Sequence, residues 1–379
     1  MFLLFFLLIS NFLKCYTLSK SFGEKINVGL KSMASSNIGI MAIDTDLEIE
    51  CDNEKKVLKD KSYITLNYSS KGILLENKTY KIIKIKKREV TGLIGINSSK
   101  VHRRYRGDFK IIIYNSKLYP INVVNAEEYL YGVLPCEISA FYADEAIKAQ
   151  AIAARTYLYK GLETLKYKYW DLVDTHDSQV YMGYNVEIER FNRFVNETFN
   201  KVIVHNGRLI HAHYHSNSGG VTCTPQDIWG AGNVPYLQPV NDSRNYAGSE
   251  ESEWTLRVYK NALSKKVGFK VKKIRVQNTK NGRVTSIVLI GTQTLQMSGE
   301  KFRSICSLPS TLFTIGSYST YFTVKGRGSG HGIGLSQWGA YKLAERGYNH
   351  LNIIQYYYKN VYIKDINVTY YKLAKREES

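Results

Sequence analysis

Four stretches of this chain carry residue types that do chemistry. The first is Tyr129-Leu130-Tyr131-Gly132-Val133-Leu134-Pro135-Cys136-Glu137-Ile138-Ser139. Glu137 sits there among apolar and aromatic neighbours, after a Gly-Val-Leu-Pro stretch that reads as a turn. A carboxyl in apolar surroundings resists ionisation and can serve as a general acid. The second is His211-Ala212-His213-Tyr214-His215, followed by Ser216-Asn217-Ser218-Gly219-Gly220. On a strand, the two-residue alternation puts all three imidazoles on one face. They could hold zinc with Cys223 as a fourth ligand, hydrogen-bond or contact a substrate, or simply pack.

The third stretch is the glycine-rich run from Gly326 to Ala340, containing His331 and Gln337. It lacks the Gly-Lys-Ser/Thr ending of a phosphate loop, and no long βαβ unit surrounds it. It reads better as a tight loop that brings backbone, His331 and Gln337 close to a ligand. The fourth is the polar, turn-like Asp177-Ser178-Gln179-Val180-Tyr181-Met182-Gly183. No Ser-His-Asp order with a nucleophile elbow is visible, and no second acid is evident beside Glu137.

The elements that must position these groups are of mixed type. Short β-type runs bounded by Gly, Asn, Asp and Ser fill the region from Ile26 to Tyr119, at 26–30, 38–43, 63–68, 79–85 and 108–114. Ile83 and Ile85 alternate with Lys84 and Lys86, which predicts one solvated, basic face. The clearest helix covers 143–166, with Ile147, Ala151, Ala154, Leu158 and Leu162 on one stripe and Asp144 and Glu145 in its first turn. A second helix is expected over 188–200. Strands are expected over 201–207 and 208–215, joined at Asn206-Gly207 by a type I′ turn. A further β region follows from 270 to 324, and a helix from about 335 to 346. The fold class is α+β: a β-rich N-terminal part, then a mixed α/β core with one long Ala-rich helix.

Composition narrows the function. The 379 residues include 52 Lys+Arg against 33 Asp+Glu, a net charge of +19. Such an excess suits an anionic partner: nucleic acid, membrane or acidic polymer. Aromatic residues at 13% and only six prolines exclude wholesale disorder. Residues 1–13 form an apolar run short of a membrane span, so an export signal is expected over 1–20. An uncleaved N-terminal anchor and lipidation at Cys15 are the alternatives. All three place the body outside the cytoplasmic membrane, which argues against nucleic acid. Cys51, Cys136, Cys223 and Cys306 are widely spaced, and one or two disulfides among them are compatible with export.

Taken in order, the motifs resemble the SpoIID/LytB family. They run from Tyr105-Arg106-Gly107 and Val123-Val124-Asn125 through Glu127-Glu128-Tyr129-Leu130-Tyr131-Gly132-Val133 to Pro135-Cys136-Glu137. Lys148-Ala149-Gln150-Ala151, Ala153-Ala154-Arg155-Thr156-Tyr157 and Ser178 to Gly183 follow. His215 to Gly220 and Gly330 to Ala340 complete the set. Ile138 stands where the family commonly has Met. The resemblance implies a peptidoglycan lytic transglycosylase that cleaves the MurNAc–GlcNAc β-1,4 bond of peptide-stripped strands and leaves 1,6-anhydro-MurNAc ends.

The resemblance makes Glu137 the catalytic acid/base. Arg155, Ser178, Gln179, Tyr181, His215, Ser216, Ser218, His331, Ser336 and Gln337 become the groups that hold the sugar. It implies a β-rich region over 21–107, a catalytic domain over 108–370 and a polar tail over 371–379. No cofactor is required, and a structural zinc near the His-Ser segment stays open. The expected partners are glycan strands and a cell-wall amidase, with no nucleic acid and membrane contact only through the N-terminal segment. The expected location is the periplasm or cell envelope. A second reading within the family is a non-catalytic wall-binding activator of an N-acetylmuramoyl-L-alanine amidase.

Overall fold

Alternating apolar and polar residues build the N-terminal part of the chain as sheet. In the computed structural model the described residues are 25–99, 101–164 and 166–366. The export signal or anchor expected over 1–20, Cys15 and the tail at 371–379 lie outside them. The chain divides into two units. The first holds residues up to Ser139, Leu158–Asn200 and the segment from Asp365. The second holds Ala140–Tyr157 and Lys201–Lys364.

Two sheets make up most of the first unit. The seven-stranded sheet has the order Leu172–Val173, Lys25–Gly29, Lys117–Asn125, Asp108–Tyr114, Ile83–Lys87, Leu47–Cys51 and Glu54–Leu58. Strands on either side of residue 107 share it. The six-stranded sheet runs Val101–Tyr105, Leu93–Ser98, Asn37–Ile43, Tyr63–Ser69, Gly72–Leu75 and Lys78–Tyr80. Strand Lys117–Asn125 packs on strands Asn37–Ile43 and Tyr63–Ser69. The run expected as one strand over 79–85 is two, Lys78–Tyr80 and Ile83–Lys87, in different sheets. Ile83 and Ile85 are buried, while Lys84 and Lys86 reach Glu50 at 3.8 and 3.7 Å.

Strand Lys117–Asn125 leads straight into helix Ala126–Glu137. The stretch expected as a turn at Gly132–Pro135 is therefore helical. Asn125 caps the helix, accepting from Glu127 N at 2.8 Å, and Glu127 and Glu128 sit in the first turn. Pro135 removes one intrahelical N–H donor, and the helix stops two residues later. Gly132 clears space for Tyr181: a Cβ there would lie 2.6 Å from its ring. The long helix is Asp144–Leu162, and its predicted stripe is buried throughout. The second expected helix is Glu189–Glu197.

The second unit has two cores. One gathers Ile152, Ile203, Ile210, Leu335, Ile353 and Tyr357. Its hairpin joins Lys201–His205 to Arg208–Leu209, with Asn206 and Gly207 at φ 50° and 78°, as a type I′ turn requires. The strand expected to reach 215 ends at Leu209. The chain returns to strand only at Tyr214–His215, paired in parallel with Leu335–Ser336. The other core, around Leu263, Ile287, Phe302 and Phe322, is a β module. Its two three-stranded sheets are Glu253–Tyr259/Tyr321–Arg327/Phe313–Ser317 and Val271–Asn278/Val284–Gly291/Thr294–Ser298. Helices Lys260–Val267 and Gly299–Cys306 belong to it, and Gln337–Glu345 and His350–Tyr357 follow. The protein is a mixed α+β fold with a β-rich N-terminal part. Among the described residues the cysteines Cys51, Cys136, Cys223 and Cys306 are free thiols.

Candidate active site

Glu137 is the last residue of its helix and is half-buried. Its Oε1 accepts from the backbone N–H of Val180 at 3.2 Å. Val180 is held in place by the segment around it. Asp174 accepts from the Ser32 hydroxyl and from Ser32 N at 3.2 Å, with Arg103 3.8 Å away. Burial raises the Asp174 carboxyl despite those bonds. The Ser178 hydroxyl accepts from Val173 N at 3.2 Å. Tyr181 donates to Asn122 at 2.9 Å, and Met182 N donates to the Gly132 carbonyl at 3.3 Å. Gln179 and Tyr181 are buried, and the Tyr181 ring packs 4.8 Å from that of Tyr129. Ser178 and Tyr181 thus brace the loop that presents an amide to Glu137. Burial pushes the neighbouring Cys136 thiol up to about 11, so it stays neutral and places no charge next to the acid.

The other predicted residues lie in the second unit. Arg155 is fully buried and donates to the Lys201 carbonyl at 3.2 Å. Ser218 donates to Asp242 at 2.6 Å, and Asp242 also accepts from Asn245 at 2.6 Å and Tyr357 at 3.0 Å. Ser218 N donates to the Ser336 hydroxyl at 3.2 Å. That same hydroxyl caps helix Gln337–Glu345 by accepting from Gly339 N at 3.2 Å. One network therefore ties the Ser-Asn-Ser-Gly-Gly turn to the helix start. Ser216 donates to Glu251 at 2.8 Å, and its carbonyl accepts from Trp338 N at 2.9 Å. Gln337 is buried in the first turn of that helix.

The imidazoles form a cluster of four. His211 and His213 lie outside any strand, and the glycine loop adds His331. Ring centroids are 6.0 Å apart for His211–His213, 5.9 Å for His213–His331 and 5.5 Å for His215–His331. Trp229 stands 5.1 Å from His213 and 5.4 Å from His331. His215 donates from Nδ1 to the Ile333 carbonyl at 3.2 Å, while His331 Nδ1 accepts from Ile333 N at 3.0 Å. The neutral His331 ring therefore carries its proton on Nε2. Burial lowers His213 to about 4, and burial with Arg283 lowers His215 to about 3. Burial also takes His331 well below its ordinary value.

Zinc fits this arrangement poorly. Among the described residues no three His, Cys, Asp or Glu side chains gather as a metal would need. The Cys223 thiol donates to the His331 carbonyl at 3.3 Å, and burial raises it to about 12, against the thiolate that zinc requires.

No motif around Arg283 singles it out. It is fully buried and, among the described residues, forms no ion pair. Its Nη2 donates to the carbonyls of Ser218 at 2.8 Å and Val221 at 3.2 Å. Gly332, at φ +81°, lies against its guanidinium, where a Cβ would come within 2.2 Å. One side chain thus lies against both the serine turn, 65 residues before it, and the glycine loop.

Comparison with known proteins covers much of this region. The family model described as Stage II sporulation protein matches residues 114–205. An uncharacterised protein of Brachyspira hyodysenteriae is 31% identical over 274 residues, covering 69% of this chain and 73% of that protein. Stage II sporulation protein D of Bacillus subtilis is 27% identical over 275 residues, covering 67% of this chain and 79% of that protein. The chain belongs to the SpoIID family. A Bacillus subtilis protein named amidase enhancer is 29% identical over 289 residues, covering 60% of this chain and 39% of that protein. The matched SpoIID segment contains Glu137, Arg155, Ser178, Gln179 and Tyr181, whereas His215, His331 and Gln337 lie beyond it.

Proposed function

We propose that this SpoIID-family protein works on the cell wall as a peptidoglycan lytic transglycosylase, with Glu137 as its general acid and base. The observation that carries the reading is the setting of Glu137: a half-buried carboxylate at a helix end, fixed by the Val180 amide, inside the segment that matches the family. In the first step the protonated carboxyl gives its proton to the glycosidic oxygen. The C1–O bond of MurNAc breaks, and its electron pair leaves with that oxygen. In the second step the sugar's own C6 hydroxyl attacks C1, and the Glu137 carboxylate takes the hydroxyl proton. The product is a 1,6-anhydro end, no water is consumed, and the acid is restored. Ordinary glycosidases need two carboxylates; here the sugar supplies the nucleophile, so one suffices and no cofactor enters.

Ser178, Ser216 and His331 keep partial exposure and suit sugar contact. Arg155, Gln179, Tyr181, His215, Ser218, Ser336 and Gln337 are buried and suit support. The excess of positive charge matches an anionic envelope, where export by the N-terminal segment would deliver the protein. Mass spectrometry of a digest of peptide-free glycan tests the reading. It predicts chains ending in 1,6-anhydro-MurNAc; reducing ends formed with water, or no cleavage, would contradict it.

The likeness to a protein named amidase enhancer favours a second reading, in which the chain binds wall and activates an amidase. On that reading a Glu137→Gln variant stimulates a cell-wall amidase as well as the native protein does, while neither releases anhydro ends.

A further inference from the structure

A cavity in the first unit has no part in the Glu137 chemistry. It measures about 410 Å³ and lies at the N-terminal end of helix Ala126–Glu137. Glu128 lines it. Glu128 and Glu137 are nine residues apart, which at ~100° per residue puts them on opposite faces of the helix.

The charged groups around this cavity are unequally satisfied. Lys25 pairs with Asp108 at 2.9 Å. Arg106 is held by both oxygens of Glu187, at 2.7 and 2.9 Å, and its guanidinium faces the Tyr131 and Tyr184 rings. Lys87 donates to the carbonyls of Val90 and Gly92, which leaves one of its three N–H groups unused. Glu128 alone has neither a hydrogen bond nor an ion pair with any described residue. Burial raises its carboxyl, and Lys87 and Arg106 offset that only through space. Val123 and Phe199 add apolar side chains to the cavity wall.

A simple anion entering here meets Glu128, and a simple cation meets Lys87 and Arg106. A ligand with both charges on an aliphatic frame satisfies each. We propose that this cavity binds a zwitterionic amino acid, free or at the end of a peptide. Its ammonium pairs with Glu128, its carboxylate takes the unused Lys87 N–H, and its methylenes lie on Val123 and Phe199.

Isothermal titration of the full chain with L-lysine tests this, with cadaverine and glutarate as ligands of one charge sign. L-Lysine should bind saturably, and cadaverine and glutarate about tenfold more weakly or worse. Glu128→Gln should weaken L-lysine by about tenfold or more. Glu137→Gln should bind L-lysine as the native chain does, which separates this site from the proposed catalysis. Should Glu128→Gln not fold, acetylation of Lys87 in the native chain gives the same answer: L-lysine should slow it and glutarate should not. Absence of saturable L-lysine binding, equal binding of a single-sign ligand, or unchanged Lys87 labelling overturns the proposal.

Discussion

In the first unit a carboxylate stands half-exposed at a helix end with a backbone amide on one oxygen. In the second, His215 is buried, and it and the partly exposed His331 are kept neutral beside an unpaired guanidinium. Both regions carry motifs of the same family, yet their physical organisation differs. Glu137 keeps access to solvent, and so to a proton. His215 and His331 give up titration near neutrality, and each uses Nδ1 on the backbone of Ile333. A titratable residue type is therefore a poor guide to a titrating role. In the second region the imidazoles and Arg283 fix two loops in place, whereas in the first a braced loop fixes a carboxylate.

Four perturbations probe the two regions separately. The largest stability effect should come from Gly332→Ala, which forces a side chain into a left-handed backbone position and onto the Arg283 guanidinium. A cost of about 3 kcal/mol is expected, read as a lower calorimetric Tm. A native-like Tm would show that the loop is not held as described.

Acid should act next, through the imidazoles of the second region. His213 and His215 titrate at about 4 and about 3 in the folded chain, below the ordinary 6.5. Below 6.5 the unfolded chain therefore binds protons that the folded chain refuses. Stability is full above that pH and is lost as pH falls toward 4. Denaturant melts across this window should show the loss, and a flat profile would mean that the rings are solvated. Asn125→Ala removes the cap of the Glu137 helix and should cost about 1 kcal/mol in the same melts. The smallest change is Arg283→Met: His215 should titrate at a higher pH by NMR once the guanidinium is gone. An unmoved titration would detach Arg283 from the imidazoles.

Much of this contrast was readable from sequence where the determinants are local. The alanine-rich stripe announced helix Asp144–Leu162, and Asn206-Gly207 announced the hairpin that both φ values confirm. The fold class follows from the same patterns. Helix Ala126–Glu137 was hidden because Gly132 and Pro135 mimic a turn. Its determinants are a cap at one end and the Tyr181 ring, 49 positions beyond Gly132, which needs the missing side chain. The strand expected over 208–215 was overextended because its alternation came from imidazoles that pack around His331, over a hundred residues away. Glu137 stood out by its motif, which lies inside the segment that matches the family. Arg283 did not, since nothing beside an isolated Arg announces carbonyl partners 65 residues upstream.

In the proposed mechanism proton transfer rests on Glu137. Its most direct test is the rate of 1,6-anhydro-MurNAc release from peptide-free glycan by Glu137→Gln, with Tm measured on the same sample. A loss of about a thousandfold with Tm unchanged is expected. Release at the native rate by a folded Glu137→Gln protein would contradict it.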